Sequence, residues 1–251
     1  VRLTAAQGGA VLADLVVGKT RADSRPGVFV RKADEARVWA VEGALQPEKR
    51  VVHWLERSIL NVDSRRVRSI RLLHGTGEAL DLEKPAPGDR DQTLVTPLPA
   101  GQVAKPAHEL NAVASIPDFL ILEDVRPKAE VNFAAPAVKA TFTTFDGLEL
   151  GFRLVEQDGQ SWIEVKAATT TPWPGLEAFS KSAAEGSDAA STAKVMKPAD
   201  AVTQEASDIN TRVADWAYRV TDYKSGKLQS RMDDLVEPKK EEEKKDEDKK
   251  G

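Results

Sequence analysis

Val138-Lys139-Ala140-Thr141-Phe142-Thr143-Thr144-Phe145, Asp146-Gly147, Leu148-Glu149-Leu150-Gly151-Phe152-Arg153-Leu154-Val155 is the stretch that decides the fold. It reads as two strands joined by a tight turn, because the glycine of an Asp-Gly pair tolerates positive φ. Gln157-Asp158-Gly159-Gln160 then leads into Ser161-Trp162-Ile163-Glu164-Val165, so the expected unit is a three-stranded antiparallel meander.

The first half carries a second β-rich block. Val1 and Leu3 alternate with polar residues, Gln7-Gly8-Gly9 reads as a turn, and Val11 to Val17 reads as a buried strand ended by Gly18. Val28-Phe29-Val30 and Arg37-Val38-Trp39-Ala40-Val41 flank Ala33-Asp34-Glu35 as a hairpin. Pro47 is expected to open a helix carrying Val51, Val52, Leu55 and Ile59, with Trp54 beside them. Val67 to Leu72 and Ala79 to Leu82 return to strand around Gly75-Thr76-Gly77, with a short strand at Thr93 to Val95. A helix from Lys105-Pro106 stops at Pro117, and Phe119 to Leu122 is a short buried strand.

Residues 169–199 are rich in Thr, Pro, Ser, Ala and Gly and read as a long connection, with a short helix near Leu176 to Ser180. From Asp200, taken as an N-cap, Val202, Ala206, Ile209, Val213 and Trp216 share a helical face. Another short helix carries Leu228, Met232 and Leu235. The expected architecture is α+β: antiparallel meanders with packed helices, in halves 1–127 and 128–237, and a disordered charged tail over 238–251. The two halves share Trp-x-x-Arg, at Trp54 to Arg57 and Trp216 to Arg219, which raises an internal duplication against chance similarity.

Charge narrows the function classes. The 36 Lys and Arg nearly balance the 40 Asp and Glu, for a net charge of -4, which argues against a nucleic-acid binder with a concentrated basic face. No cysteine is present, so disulfides, thiolate chemistry and cysteine-held metals fall away together. No apolar run is long enough to span a bilayer. The start at Val1, already in strand-like sequence, reads as a trimmed or processed fragment.

Tests for reactive chemistry come back empty. Gly18-Lys19-Thr20 lacks the glycine five positions upstream that a phosphate-binding loop needs; Ala13 stands there. His53, His74 and His108 show no ligand spacing, and Asp233-Asp234 lacks the pattern of a calcium loop. No Gly-x-Ser-x-Gly elbow appears. Glu123-Asp124 at a strand end could hold a carboxylate with a raised pKa, against the plainer reading of a pair meeting solvent or Arg126. The residues therefore predict no enzyme, no cofactor and no metal. Trp39, Trp162 and Trp173 are the candidate contacts for a sugar ring or a partner, with Trp173, between Pro172 and Pro174, the best placed.

Several segments resemble a known family. Leu12 to Lys19, Val28-Phe29-Val30-Arg31, Val38-Trp39-Ala40-Val41, Trp54 to Leu60, Val67-Arg68-Ser69-Ile70 and Leu122-Glu123-Asp124-Val125-Arg126-Pro127 are similar, in this order, to the uncharacterised bacterial DUF4340 family. Ile209-Asn210, Trp216-Ala217-Tyr218, Tyr223-Lys224 and Leu228 resemble its C-terminal segment. The resemblance implies an extracytoplasmic (periplasmic) domain held to the inner membrane by an N-terminal anchor in the parent protein. It also implies neighbouring ABC-transporter components of the gliding-motility type, and no assigned catalytic residues. The leading expectation is an accessory domain of a membrane transport complex. A carbohydrate or cell-wall binding module is the alternative, and a hydrolase with an unrecognised site the third.

Overall fold

The computed structural model describes residues 2–4, 11–21, 26–43, 51–183 and 187–239. The Gln7-Gly8-Gly9 turn, the helix opening at Pro47 and the charged tail beyond Lys239 lie outside them. The chain divides into two compact units, Val1–Leu55 and Glu56–Gly251.

The first unit is a four-stranded antiparallel sheet in chain order: β1 (Arg2–Thr4), β2 (Val11–Arg21), β3 (Gly27–Lys32) and β4 (Trp39–Glu42). The β3–β4 hairpin has the expected bounds, with Val28 opposite Val41 and Val30 opposite Trp39. Gly18 does not end β2. The strand runs on to Arg21, and its register against β3 shifts between Val17 and Thr20. A bulge of this kind admits an extra residue without breaking the strand.

The second unit is built on a nine-stranded sheet whose neighbouring strands all pair antiparallel. Its strands and helices, in chain order, are β5 (Ser58–Leu60), β6 (Val67–His74), β7 (Ala79–Glu83), β8 (Thr93–Leu94), β9 (Gln102–Ala104), α1 (Ala107–Ala114), β10 (Leu120–Pro127), β11 (Val138–Thr144), β12 (Leu148–Gln157), β13 (Gln160–Thr169), α2 (Leu176–Ser182), α3 (Asp188–Ala193), α4 (Ala199–Val213), β14 (Trp216–Val220), α5 (Asp222–Leu228), α6 (Met232–Leu235) and β15 (Val236–Pro238). The sheet order is β5-β10-β14-β13-β12-β11-β6-β7-β8, while β9 and β15 pair separately. The α+β class and the central meander stand as read from the sequence.

The expected boundary at residue 127 does not divide this structure. Strand β6 pairs with β11 and β10 with β14, so both sides of that boundary interleave in one sheet. Two helical expectations are also corrected. Val51–Trp54 is a single 3-10 turn, after which Ile59 lies buried in β5 beside β10. Trp216 does not continue α4: the helix ends at Val213, and Trp216 opens β14. The two Trp-x-x-Arg stretches thus have different backbones.

The core lies on one face of the large sheet. Phe142, Leu150, Phe152, Ile163 and Val165 are buried there, and the Phe142 and Phe152 rings meet edge to face at 5.3 Å. Helix α4 packs on β13 and buries Val202, Ala206, Ile209 and Val213. That helix also supplies a substitute for a strand. Strand β14 pairs with β13 only at Ile163–Tyr218, which leaves the end of β13 with spare backbone groups. Asn210 fills the gap: its Nδ2 donates to the Ala167 carbonyl at 2.7 Å, and its Oδ1 accepts from the Ala167 N–H at 2.9 Å. Asn210→Ala should cost about 1–3 kcal/mol, since both backbone groups lose their partner in a half-buried place. Urea denaturation of the two proteins measures it.

Helix α1 is held at its C-terminal end by a cation. Lys224 Nζ donates to the carbonyls of Ser115 and, at 2.8 Å, of Asp118. An ammonium there meets carbonyls that have no partner within the helix. Burial lowers the pKa of Lys224, with Asp118 opposing. The resemblance at Tyr223-Lys224 thus falls partly on a helix brace.

Candidate functional site

The connection after β13 builds a cavity beside one of the candidate residues, Trp173. Gly147 takes φ +90, and a Cβ there would stand 2.5 Å from the Thr170 carbonyl, so the Asp146-Gly147 turn lets the outgoing chain lie directly against it. The Thr170 N–H donates to the Gly147 carbonyl at 2.8 Å, and the Trp173 N–H donates to the Phe145 carbonyl at 2.7 Å. These bonds fix the Pro172-Trp173-Pro174 segment. The indole meets the buried Phe145 ring edge to face at 5.9 Å and lies back over Gly175, whose missing side chain makes room.

Beside it is a cavity of about 690 Å³, lined by Pro172, Trp173, Leu176, Met196 and Pro198, with Asp146 on its floor and Lys181 and Lys197 at its sides. The size falls within the range of small-ligand and short-segment sites, and the lining is mainly apolar with a few polar groups.

The charged groups under the cavity are engaged with one another. Arg66 is buried and forks to two carboxylates. Its Nε donates to Asp146 Oδ2 at 2.8 Å, and its Nη1 and Nη2 donate to Glu205 Oε1 and Oε2 at 3.0 and 2.8 Å. Asp146 also accepts from Thr144 Oγ1 and, at 2.9 Å, from the Lys197 N–H. Lys197 Nζ pairs with Glu205 at 2.9 Å. Two cations thus face two anions, which is how buried charge is tolerated. Burial works to raise the Glu205 pKa, but hydrogen bonds from Arg66 and Lys197 outweigh it and hold the carboxyl below its ordinary value of 4.5. Glu164 behaves alike: burial is overcome by Arg153 and Lys128.

A carboxyl whose folded pKa is depressed contributes stability that is present above its unfolded pKa and lost as pH falls through the folded one. Stability should therefore vary little on this account between pH 7 and pH 5 and fall below about pH 4.5. Denaturant midpoints across that range check it. Asp118, raised by burial and by Asp63, offsets part of the fall.

The other sequence candidates sit elsewhere. Trp162, counted among the candidate contacts, is instead enclosed at 0% exposure with Val131, Phe133, Val155 and Ala217. It lies opposite Val155, on the sheet face away from the main core. Arg126 stacks over its ring at 4.4 Å. Trp39 is in the first unit, 45% exposed, with Arg37 at 3.9 Å over its ring. Glu123 faces Arg219 at 3.8 Å, whereas Arg126 pairs with Asp158 at 3.4 Å. His74 is buried with Nε2 3.0 Å from the Ser230 carbonyl, and His108 is exposed beside Glu109. Among the described residues no three His, Asp or Glu side chains gather as a metal-holding group. No helix among them is long and apolar enough to cross a membrane.

The model of one protein family, "Domain of unknown function (DUF4340)", matches residues 1–136. The chain belongs to the DUF4340 family. No curated protein and no solved structure matches it. The DUF4340 match takes in the first unit and the second through β10, so the Trp173 cavity, Asp146 and Glu205 lie beyond it. Sequence reasoning missed Arg66, Lys197 and Glu205 altogether. Arg66 follows Arg65 in a polar run that carries no sign of burial, and Asp146 reads only as part of the Asp146-Gly147 turn.

Proposed function

We propose that this DUF4340 chain is a binding domain without chemistry of its own, serving as an extracytoplasmic accessory part of an ABC-type membrane transport complex. The observation that carries the binding role is the pairing of an open, mainly apolar cavity beside Trp173 with a floor whose charges are already neutralised. A group committed to two hydrogen-bonded partners is poorly placed to act as acid, base or nucleophile. An apolar lining with a rigid aromatic wall is suited to a partner's side chains. The transport setting rests on the family resemblance alone.

The parent protein, purified from native membranes with its neighbours intact, tests the setting. Enrichment of a transporter permease is the expected result, and recovery without any transporter component speaks against it. The glycan reading loses support from the burial of Trp162 and from the indole of Trp173 lying over Gly175, because a sugar platform needs an open ring face.

A further inference from the structure

The outer edge of β4 is an open strand edge. The small sheet ends there, and all of Trp39–Glu42 is exposed. The Gly43 N–H donates to the Pro26 carbonyl, which makes Pro26 and Gly43 a hydrogen-bonded pair. Such pairs alternate along an antiparallel ladder, so Val41 and Trp39 turn their backbone groups toward Val28 and Val30 of β3. The N–H and C=O of Ala40, between them, therefore point away from β3. Among the described residues no strand meets them. Exposed edges of this kind are templates for another strand.

We propose that β4 pairs with β4 of a second copy, antiparallel, about a two-fold axis through Ala40. Symmetry restricts the choice. A two-fold axis normal to the sheet keeps each face on its own side, so opposed residues must have numbers of equal parity. Centring on Ala40 opposes Trp39 to Val41 of the second copy, twice over. That is an aromatic–β-branched cross-strand pair, on the face that already carries Val17, Val28 and Val30. Ala40 meets Ala40 on the axis, where two small side chains avoid a clash. Its outward N–H and C=O then bond reciprocally, as a hydrogen-bonded pair requires. Trp39 and Val41 are 45% and 37% exposed, so both have surface to bury.

The absence of cysteine makes the test clean. In the proposed register the two Ala40 Cα atoms lie about 5.5 Å apart, within disulfide reach. Val38 lies opposite Glu42 of the second copy, so the two Val38 Cα atoms are about 14 Å apart, beyond that reach. Ala40→Cys should give a covalent dimer under mild oxidation at least tenfold faster than Val38→Cys, although Val38 is itself 57% exposed. The unmodified chain should show a concentration-dependent dimer by sedimentation equilibrium. Ala40→Pro should abolish it while keeping the far-UV circular dichroism, since the removed N–H serves no bond to β3. A chain monomeric at all concentrations, equal cross-linking at both positions, or a dimer untouched by Ala40→Pro would each overturn the proposal.

Discussion

Replacing Arg66 with methionine is expected to cost about 3–5 kcal/mol and to lower the unfolding midpoint of the second unit accordingly. The reason is what stays behind. Asp146 has no exposed side-chain surface and Glu205 very little, and both are bonded to the one guanidinium. Without it, two carboxylates share a water-poor site with only Lys197 to answer them. Arg66→Lys keeps the charge but not the fork that reaches both acids at once, so its cost should be smaller yet still well above that of a surface change. Urea denaturation of the three proteins measures the series. Equal stability of wild type and Arg66→Met would mean that the cluster is not closed as described.

The second large effect is expected at Trp162. Its truncation to alanine should cost about 3–5 kcal/mol, the range for emptying a buried aromatic site. The indole fills the space between the sheet and the chain at Val131 and Phe133, so the cavity left behind would be lined by both layers. Trp162→Phe is the informative companion. The indole Nε1 has no hydrogen-bond partner, so losing it removes no bond, and most of the packing is kept. A cost under half that of the alanine change is expected, by thermal or chemical unfolding. A near-neutral Trp162→Ala would return this residue to the surface, as a candidate contact.

Particular residues show where sequence reading succeeded. The meander from Val138 to Thr169 was legible because buried and less buried residues alternate along β11 and β12, and Asp146-Gly147 marks the turn. The hairpin at Ala33-Asp34-Glu35 and the helix after Pro106 were legible for similar local reasons. Trp216 was misread because Ile209, Val213 and Trp216 keep helical spacing past the true helix end. The pairing of β14 with β10 decides the matter, and that partner lies about 90 residues away in sequence. Ile59 was misread in the same way, since β10 claims it for a strand.

The boundary at residue 127 failed because pairings such as β6 with β11 leave no mark in local composition. For the site, proline flanks pointed to Trp173. The charged floor was invisible, because Arg66, Asp146 and Glu205 come from three separate segments that only the folded sheet and α4 bring together.

The claim that the Trp173 cavity is the binding surface is tested most directly by quantitative recovery of transporter permease from native membranes, using parent protein with Trp173 intact and with Trp173→Ala. The loss of a central aromatic anchor is worth roughly 2 kcal/mol, about 30-fold in affinity. Recovery should therefore fall at least tenfold while the unfolding midpoint shifts less than for Trp162→Ala. Equal recovery from the two proteins, with the variant folded, would contradict the account.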